Sequence, residues 1–212
     1  MKKVWETKGQ YQTLDELVKY DYFPSMGSSA YKDNPSLRPY NGYEALKDWP
    51  VLRGLLAGKF DELGFRRLAY VGSGDFAIVL KTVENQVVRI SVDTEENKRP
   101  KHPAILQPHV TYLVRDESNP ESPVLRVEVL VQVKDKDARA VSGIDTEGVG
   151  SDHVKVLKDV LGKSGLEPQD LQIKNIALLS DGTPVVIDGG AVRQNPNTEI
   201  LLDEGMLADW LS

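Results

Sequence analysis

The apolar positions of this chain change period twice, and the changes divide it. Leu52, Leu55, Leu56 and Phe60 recur mostly three or four residues apart and predict a helix over roughly 43–63, with Pro50 breaking or kinking it and Gly64 ending it. Upstream, Thr13-Leu14-Asp15-Glu16 has capping-box spacing and predicts a short helix reaching Val18 or Lys19. From Phe65 the pattern takes the two-residue period of strands. Five strands are predicted, at 65–71, 76–83, 86–92, 110–115 and 124–133, and their short turns imply an antiparallel sheet. From about residue 134 the pattern is mostly helical. Ser151-Asp152 caps a helix carrying Val154, Val156, Leu157, Val160 and Leu161, which Gly162 and Gly165 end. Asp181-Gly182 joins two β-branched runs, 176–179 and 184–187, into a hairpin, and a last short helix is predicted at 198–211.

The first 64 residues have a texture of their own. They hold Tyr11, Tyr20, Tyr22, Tyr31, Tyr40 and Tyr43, and from 23 to 42 Pro, Ser, Gly and Asn dominate, as in an irregular arm that docks through its aromatics. The expected organisation is a helical, aromatic-rich extension over 1–64, a sheet-bearing part over 65–133 and a helical part over 134–212. Composition then narrows the function classes. With 26 Lys+Arg against 32 Asp+Glu the net charge is −6, so neither nucleic acid nor a membrane surface is an expected partner. The absence of cysteine excludes disulfides, zinc–thiolate sites, iron–sulfur clusters and thiol catalysis, and fits a reducing, cytoplasmic setting. No apolar run approaches the roughly 20 residues that span a bilayer.

Three segments carry candidate chemistry. Gly72-Ser73-Gly74-Asp75-Phe76-Ala77-Ile78-Val79 lies between two predicted strands, and its glycines let backbone N–H groups turn toward phosphates. Because a strand follows it, it is neither a Walker loop nor a dinucleotide fingerprint. Asp170-Leu171-Gln172-Ile173-Lys174-Asn175 sets an acid and an amide five apart on a loop. The acid can orient an attacking hydroxyl while the amide oxygen binds a hard cation. Val185-Val186-Ile187-Asp188-Gly189-Gly190 delivers a carboxylate at the end of an apolar strand, a natural Mg²⁺ ligand. Taken singly, each segment reads as a turn or a cap.

Taken in order, they resemble the protein-kinase-like superfamily. Its glycine-rich loop is matched at Gly72, Gly74 and Val79, with Ala77 where the third glycine belongs. Asp170, Leu171 and Asn175 match its catalytic loop, with Pro168-Gln169 in place of His-Arg, and Asp188-Gly189-Gly190 stands for its D-F-G. His102-Pro103-Ala104-Ile105-Leu106 resembles the run that precedes the fourth strand, and Glu128-Val129-Leu130 falls where the adenine hinge would be. The departures are large. Arg89 stands where the family has its strand lysine, with Lys81 a rival supplier of that charge. The helix bearing the partner glutamate is almost deleted, leaving Glu95 and Glu96 as the nearest candidates. Only 22 residues follow Gly190, with no A-P-E motif.

The resemblance implies an α+β, protein-kinase-like bilobal fold with a five-stranded antiparallel N-lobe and a truncated helical C-lobe. In outline it resembles the minimal kinases of bacteriophages and bacterial effectors. The implied activity is ATP- and Mg²⁺-dependent phosphoryl transfer to Ser or Thr of a protein substrate, such as a host protein. In it Asp170 is the base, Asn175 and Asp188 hold the metal, and Gly72, Ser73, Gly74, Val79, Lys81, Arg89, Glu128, Leu130 and Lys174 form the nucleotide site. Two alternatives stay open: nucleotidyl or small-molecule phosphoryl transfer on the same fold, and a non-catalytic binding module. His102, His109 and His153 lack metal-ligand spacing; His102 is expected in a turn. The charge runs 93–96 and 98–101 are expected to be a solvated loop.

Overall fold

The computed structural model describes residues 4–20, 41–73, 76–84, 86–94, 99–130, 148–169, 171–178 and 182–194. The arm over 23–40, the predicted helix at 198–211, Glu95, Glu96, Gly74 and Asp170 lie outside them. The described part is mixed α+β, with a six-stranded antiparallel sheet and four α-helices. The chain divides into two units: residues 1–94 with 108–132, and residues 95–107 with 133–212.

The first unit holds β1 (Tyr11–Gln12), α1 (Leu14–Leu17), α2 (Gly42–Asp48), α3 (Pro50–Glu62) and strands β2 (Leu68–Ser73), β3 (Ala77–Thr82), β4 (Val87–Val92), β5 (Pro108–Val114) and β6 (Leu125–Leu130). The sheet order is β1-β2-β3-β4-β6-β5. The five predicted strands are all present, and a sixth corrects the count: Tyr11 and Gln12 pair with Ala69 and Leu68. Two residues are too few for alternation to register in a sequence. The segment before residue 65 is accordingly part of this unit, contributing an edge strand and three helices to it.

Local chemistry accounts for the helices. Thr13 caps α1 through the expected reciprocal box: its hydroxyl accepts from Glu16 N (3.2 Å) and its N–H donates to Glu16 Oε2 (2.8 Å). The single kinked helix expected at 43–63 is two helices abutting at Trp49. Proline at the first position of α3 needs no N–H donor there, so Pro50 starts a helix instead of bending one. Asn41 caps α2 by accepting from Tyr43 N (2.9 Å) and Glu44 N (3.0 Å). Gly42 opens that helix against the sheet itself. Its N–H donates to Phe76 O (3.3 Å), and a Cβ there would strike the Ile90 carbonyl, so only glycine lets the two backbones approach. Leu46, Leu52, Leu56 and Phe60 pack with Leu68, Tyr70, Ile78, Leu80, Val88, Ile90, Leu125, Val127 and Val129 in one buried core. The alternation along each strand therefore gives one face to this core and leaves the other for something else.

In the second unit, the described residues hold α4 (Ser151–Lys163), β7 (Leu166–Pro168), β8 (Ile176–Leu178), β9 (Pro184–Val186) and β10 (Val192–Gln194). The predicted helix and the predicted hairpin β8–β9 are both present, and a second two-stranded sheet, β7–β10, adds to them. The cap of α4 is Gly150, not Ser151 or Asp152; the Gly150 N–H donates to His153 Nδ1 (3.0 Å). Gly162 lies inside the helix, which runs on to Lys163. The hairpin β8–β9 turns through Gly182, whose φ of 93° suits glycine. A core of Ile105, Leu157, Leu161, Leu166, Leu171, Ile176 and Val186 joins these pieces. No helix among the described residues is long and apolar enough to cross a membrane.

Candidate functional site

In the first unit the cross-strand register gathers the predicted nucleotide residues. Gly72 faces Val79, Val79 faces Arg89, Arg89 faces Glu128 and Glu128 faces Thr111, making one continuous row across β2, β3, β4, β6 and β5. A register shift between Tyr70 and Gly72 brings Gly72 opposite Val79. Lys81, Val87 and Leu130 form the row two residues along. All lie on the face turned from the α2–α3 core, because that core takes the alternate positions Ile78, Leu80, Val88, Ile90, Val127 and Val129. Ser73 is fixed beside Gly72 by a 2.7 Å hydrogen bond between its hydroxyl and that of Tyr70. Burial pushes the Tyr70 hydroxyl's pKa up, with the Ser73 bond opposing.

Charge on this face is organised. Arg89 is 7% exposed and Glu128 1%, and Nη1 of Arg89 lies 3.1 Å from Oε2 of Glu128 and 3.3 Å from the Ser91 hydroxyl. Arg126, on the same face, pairs with Asp93 at 2.6 Å, so Asp93 is bound to the sheet and not part of a solvated run. Lys81 is half-buried and makes no ion pair or hydrogen bond among the described residues. Glu128 and Leu130 lie inside β6, flanked by β4 and β5, and the Glu128 carboxylate is engaged with Arg89. An adenine hinge would therefore have to use chain beyond Leu130, outside the described residues.

In the second unit backbone hydrogen bonds draw the other two segments together. Ile187 N donates to Asn175 O (2.9 Å), which ties the residue before Asp188 to Asn175 at the open end of the β8–β9 hairpin. Gln169 N donates to Ala191 O (2.8 Å), and β7 pairs with β10 in the register Pro168 with Val192. The two neighbours of position 170 are thus held: Gln169 on the turn after Asp188, and buried Leu171 in the core. Asn175 is buried at the end of a 3-10 turn, Ile173–Asn175. Asp188 is exposed, and its Oδ1 accepts from Gly190 N (3.1 Å), which leaves Oδ2 without a partner among the described residues. An amide and a carboxylate oxygen of this kind suit a hard, oxygen-loving cation such as Mg²⁺. Among the described residues no three His, Cys, Asp or Glu side chains cluster as a metal site. Lys174 belongs to the same 3-10 turn.

Sequence patterning missed what supports this loop. The run 99–107 belongs to the second unit, where Leu106 N donates to Val186 O and Val186 N to Ala104 O, both at 2.8 Å. Arg99 donates to Ile187 O (2.7 Å) and Leu106 O (3.3 Å), and its aliphatic stem occupies the space a side chain on Gly189 would need. A glycine directly after the candidate metal ligand was the only signal of this crossing. His102 does occupy a turn, its carbonyl accepting from Ile105 N (3.0 Å). Its Nδ1 accepts from Ala104 N (3.0 Å), so Nε2 carries the proton and donates to Ser164 Oγ (2.9 Å), which donates to Val160 O (3.0 Å).

Burial lowers the His102 pKa, and protonating Nδ1 would break its bond with Ala104. The unfolded chain, with the ordinary value of about 6.5, then binds the proton first. Stability is full above that pH and falls as pH drops from it through the folded value. His102→Asn, whose Oδ1 can keep the Ala104 bond, is expected to flatten that part of a melting-temperature profile between pH 7.5 and 5; an unchanged profile assigns the dependence to another group.

A shallow groove of about 740 Å³ lies elsewhere, between α3 and edge strand β5, lined by Val51, Leu55, Lys59, Tyr112 and Leu113. It contains none of the candidate site residues. No family model and no curated relative matches the chain.

Proposed function

We propose that this chain is an ATP- and Mg²⁺-dependent phosphotransferase of protein-kinase-like, two-lobed fold, acting on a serine or threonine hydroxyl of a protein. The observation that carries the reading is the gathering, within residues 167–192, of Asn175, Asp188 and Gln169 by two backbone hydrogen bonds, with Leu171 held in the adjoining core. The single register row Gly72, Val79, Arg89 and Glu128 on the sheet supports it independently.

Each residue has a role in this reading. Backbone N–H groups at Gly72, Ser73 and Gly74 would bind the phosphates, and Arg89 adds charge. Asn175 and Asp188 would hold Mg²⁺, which when bound neutralises charge on the phosphate oxygens. Asp170 accepts the proton of the substrate hydroxyl as its oxygen bonds to the γ-phosphorus and the bond to the β–γ bridging oxygen breaks, releasing ADP. A cytoplasmic host protein is the proposed kind of substrate.

A non-catalytic binding module is the second reading, favoured by the fact that Arg89 is already paired and buried. Incubation of the whole chain with γ-labelled ATP, Mg²⁺ and cell lysate separates the two. Transfer to a protein band, with a mass increase of one phosphoryl group, is expected. A raised melting temperature with ATP–Mg²⁺ but no transfer would favour the binding module, and an added AMP would assign nucleotidyl transfer.

A further inference from the structure

We infer that Glu128 is the positioning residue for Arg89, so that the phosphate-binding cation is held by a neighbouring strand. The inference rests on the phosphotransfer reading and says how its site is controlled: the cation is aligned as soon as the sheet is formed. Three observations carry it. Arg89 and Glu128 are direct cross-strand partners in β4 and β6, both central strands, so the contact is fixed by the ladder. Their charged atoms are 3.1 Å apart with both residues buried, which weakens screening and restricts rotamers. Nη1 is committed to Glu128 and Ser91, whereas Nε and Nη2 make no hydrogen bond among the described residues. A guanidinium gripped at one nitrogen still presents the rest of its planar fork to a phosphate.

Register also separates Arg89 from its rival. Arg89 shares the row of Gly72, while Lys81 sits in the row beyond Val79, roughly 6–7 Å further along the strand. Lys81 makes no ion pair among the described residues, but Arg89 has the place in the row of Gly72.

The test compares ATP–Mg²⁺ and adenosine binding by calorimetry, using full-length wild type, Glu128→Gln and Glu128→Asp. A residue that only stabilises the sheet would change both ligands alike when lost; one that aims a guanidinium at phosphates changes ATP alone. Glu128→Gln is expected to weaken ATP about tenfold and adenosine less than about twofold, the former being one charge-assisted hydrogen bond. Glu128→Asp, which keeps the charge but draws it back by one methylene, is expected to fall between, and it serves if the glutamine variant does not fold. Unchanged ATP affinity, or equal loss of both ligands, overturns the inference while leaving the phosphotransfer reading standing. A wild type that binds no ATP overturns both.

Discussion

Asp188→Ala is expected to reduce phosphoryl transfer roughly 100-fold or more while the protein stays folded. The rate estimate follows from the several kcal/mol that a metal-held phosphate contributes at about 1.4 kcal/mol per tenfold. The stability expectation comes from the side chain's surroundings. Asp188 is exposed, and its one described hydrogen bond goes to Gly190 N, a cap of a short turn. Losing such a cap costs about 1 kcal/mol, a fall of roughly 2–4 °C in melting temperature for a chain of this size. Asp188→Asn sharpens the comparison, because an amide oxygen can keep the Gly190 bond while the charge is gone. Transfer lost in both variants, with the asparagine form melting like wild type, assigns the carboxylate to the metal. Equal labelling by Asp188→Ala and wild type would reduce it to a turn cap and remove the catalytic assignment.

The sheet was legible because its strands are long enough for alternation to show. Ile78, Leu80, Val88 and Ile90 alternate with Val79, Lys81, Val87 and Arg89, and that contrast marks both the strands and their faces. The row Gly72, Val79, Arg89 and Glu128 was not legible in the same way, because alternation marks a strand's faces but not its register with its neighbours. What escaped reading depends on contacts with no period. Tyr11–Gln12 becomes a strand because β2 has a free edge for it, and residues 99–107 join the second unit through backbone bonds to Val186. Pro50 was legible as a disruption but not as a helix start, a distinction set by whether Trp49 leaves the helical region before it. The ion pair of Arg89 was hidden for a similar reason: Glu128 is 39 positions away, read as a hinge residue, and meets Arg89 only through the register of β4 with β6.

That burial makes the pair's stability and its function separable by experiment. Glu128→Leu alone leaves a guanidinium buried without its carboxylate, and breaking a buried pair in this way costs roughly 3–5 kcal/mol. At roughly 2–4 °C per kcal/mol the melting temperature should fall by about 6–20 °C. Arg89→Met in the same chain removes the stranded charge and fills the space with an apolar side chain, so the double variant should recover most of the loss. ATP affinity should not recover, because no cation remains in the row of Gly72. A purely structural pair predicts the opposite coupling: whatever ligand binding Glu128→Leu loses by loosening the sheet returns when the sheet is repaired. Measuring melting temperature and ATP binding on the same three proteins therefore decides between them, and a double variant that regains both stability and ATP affinity would place the phosphate-binding charge elsewhere, with Lys81 next in line.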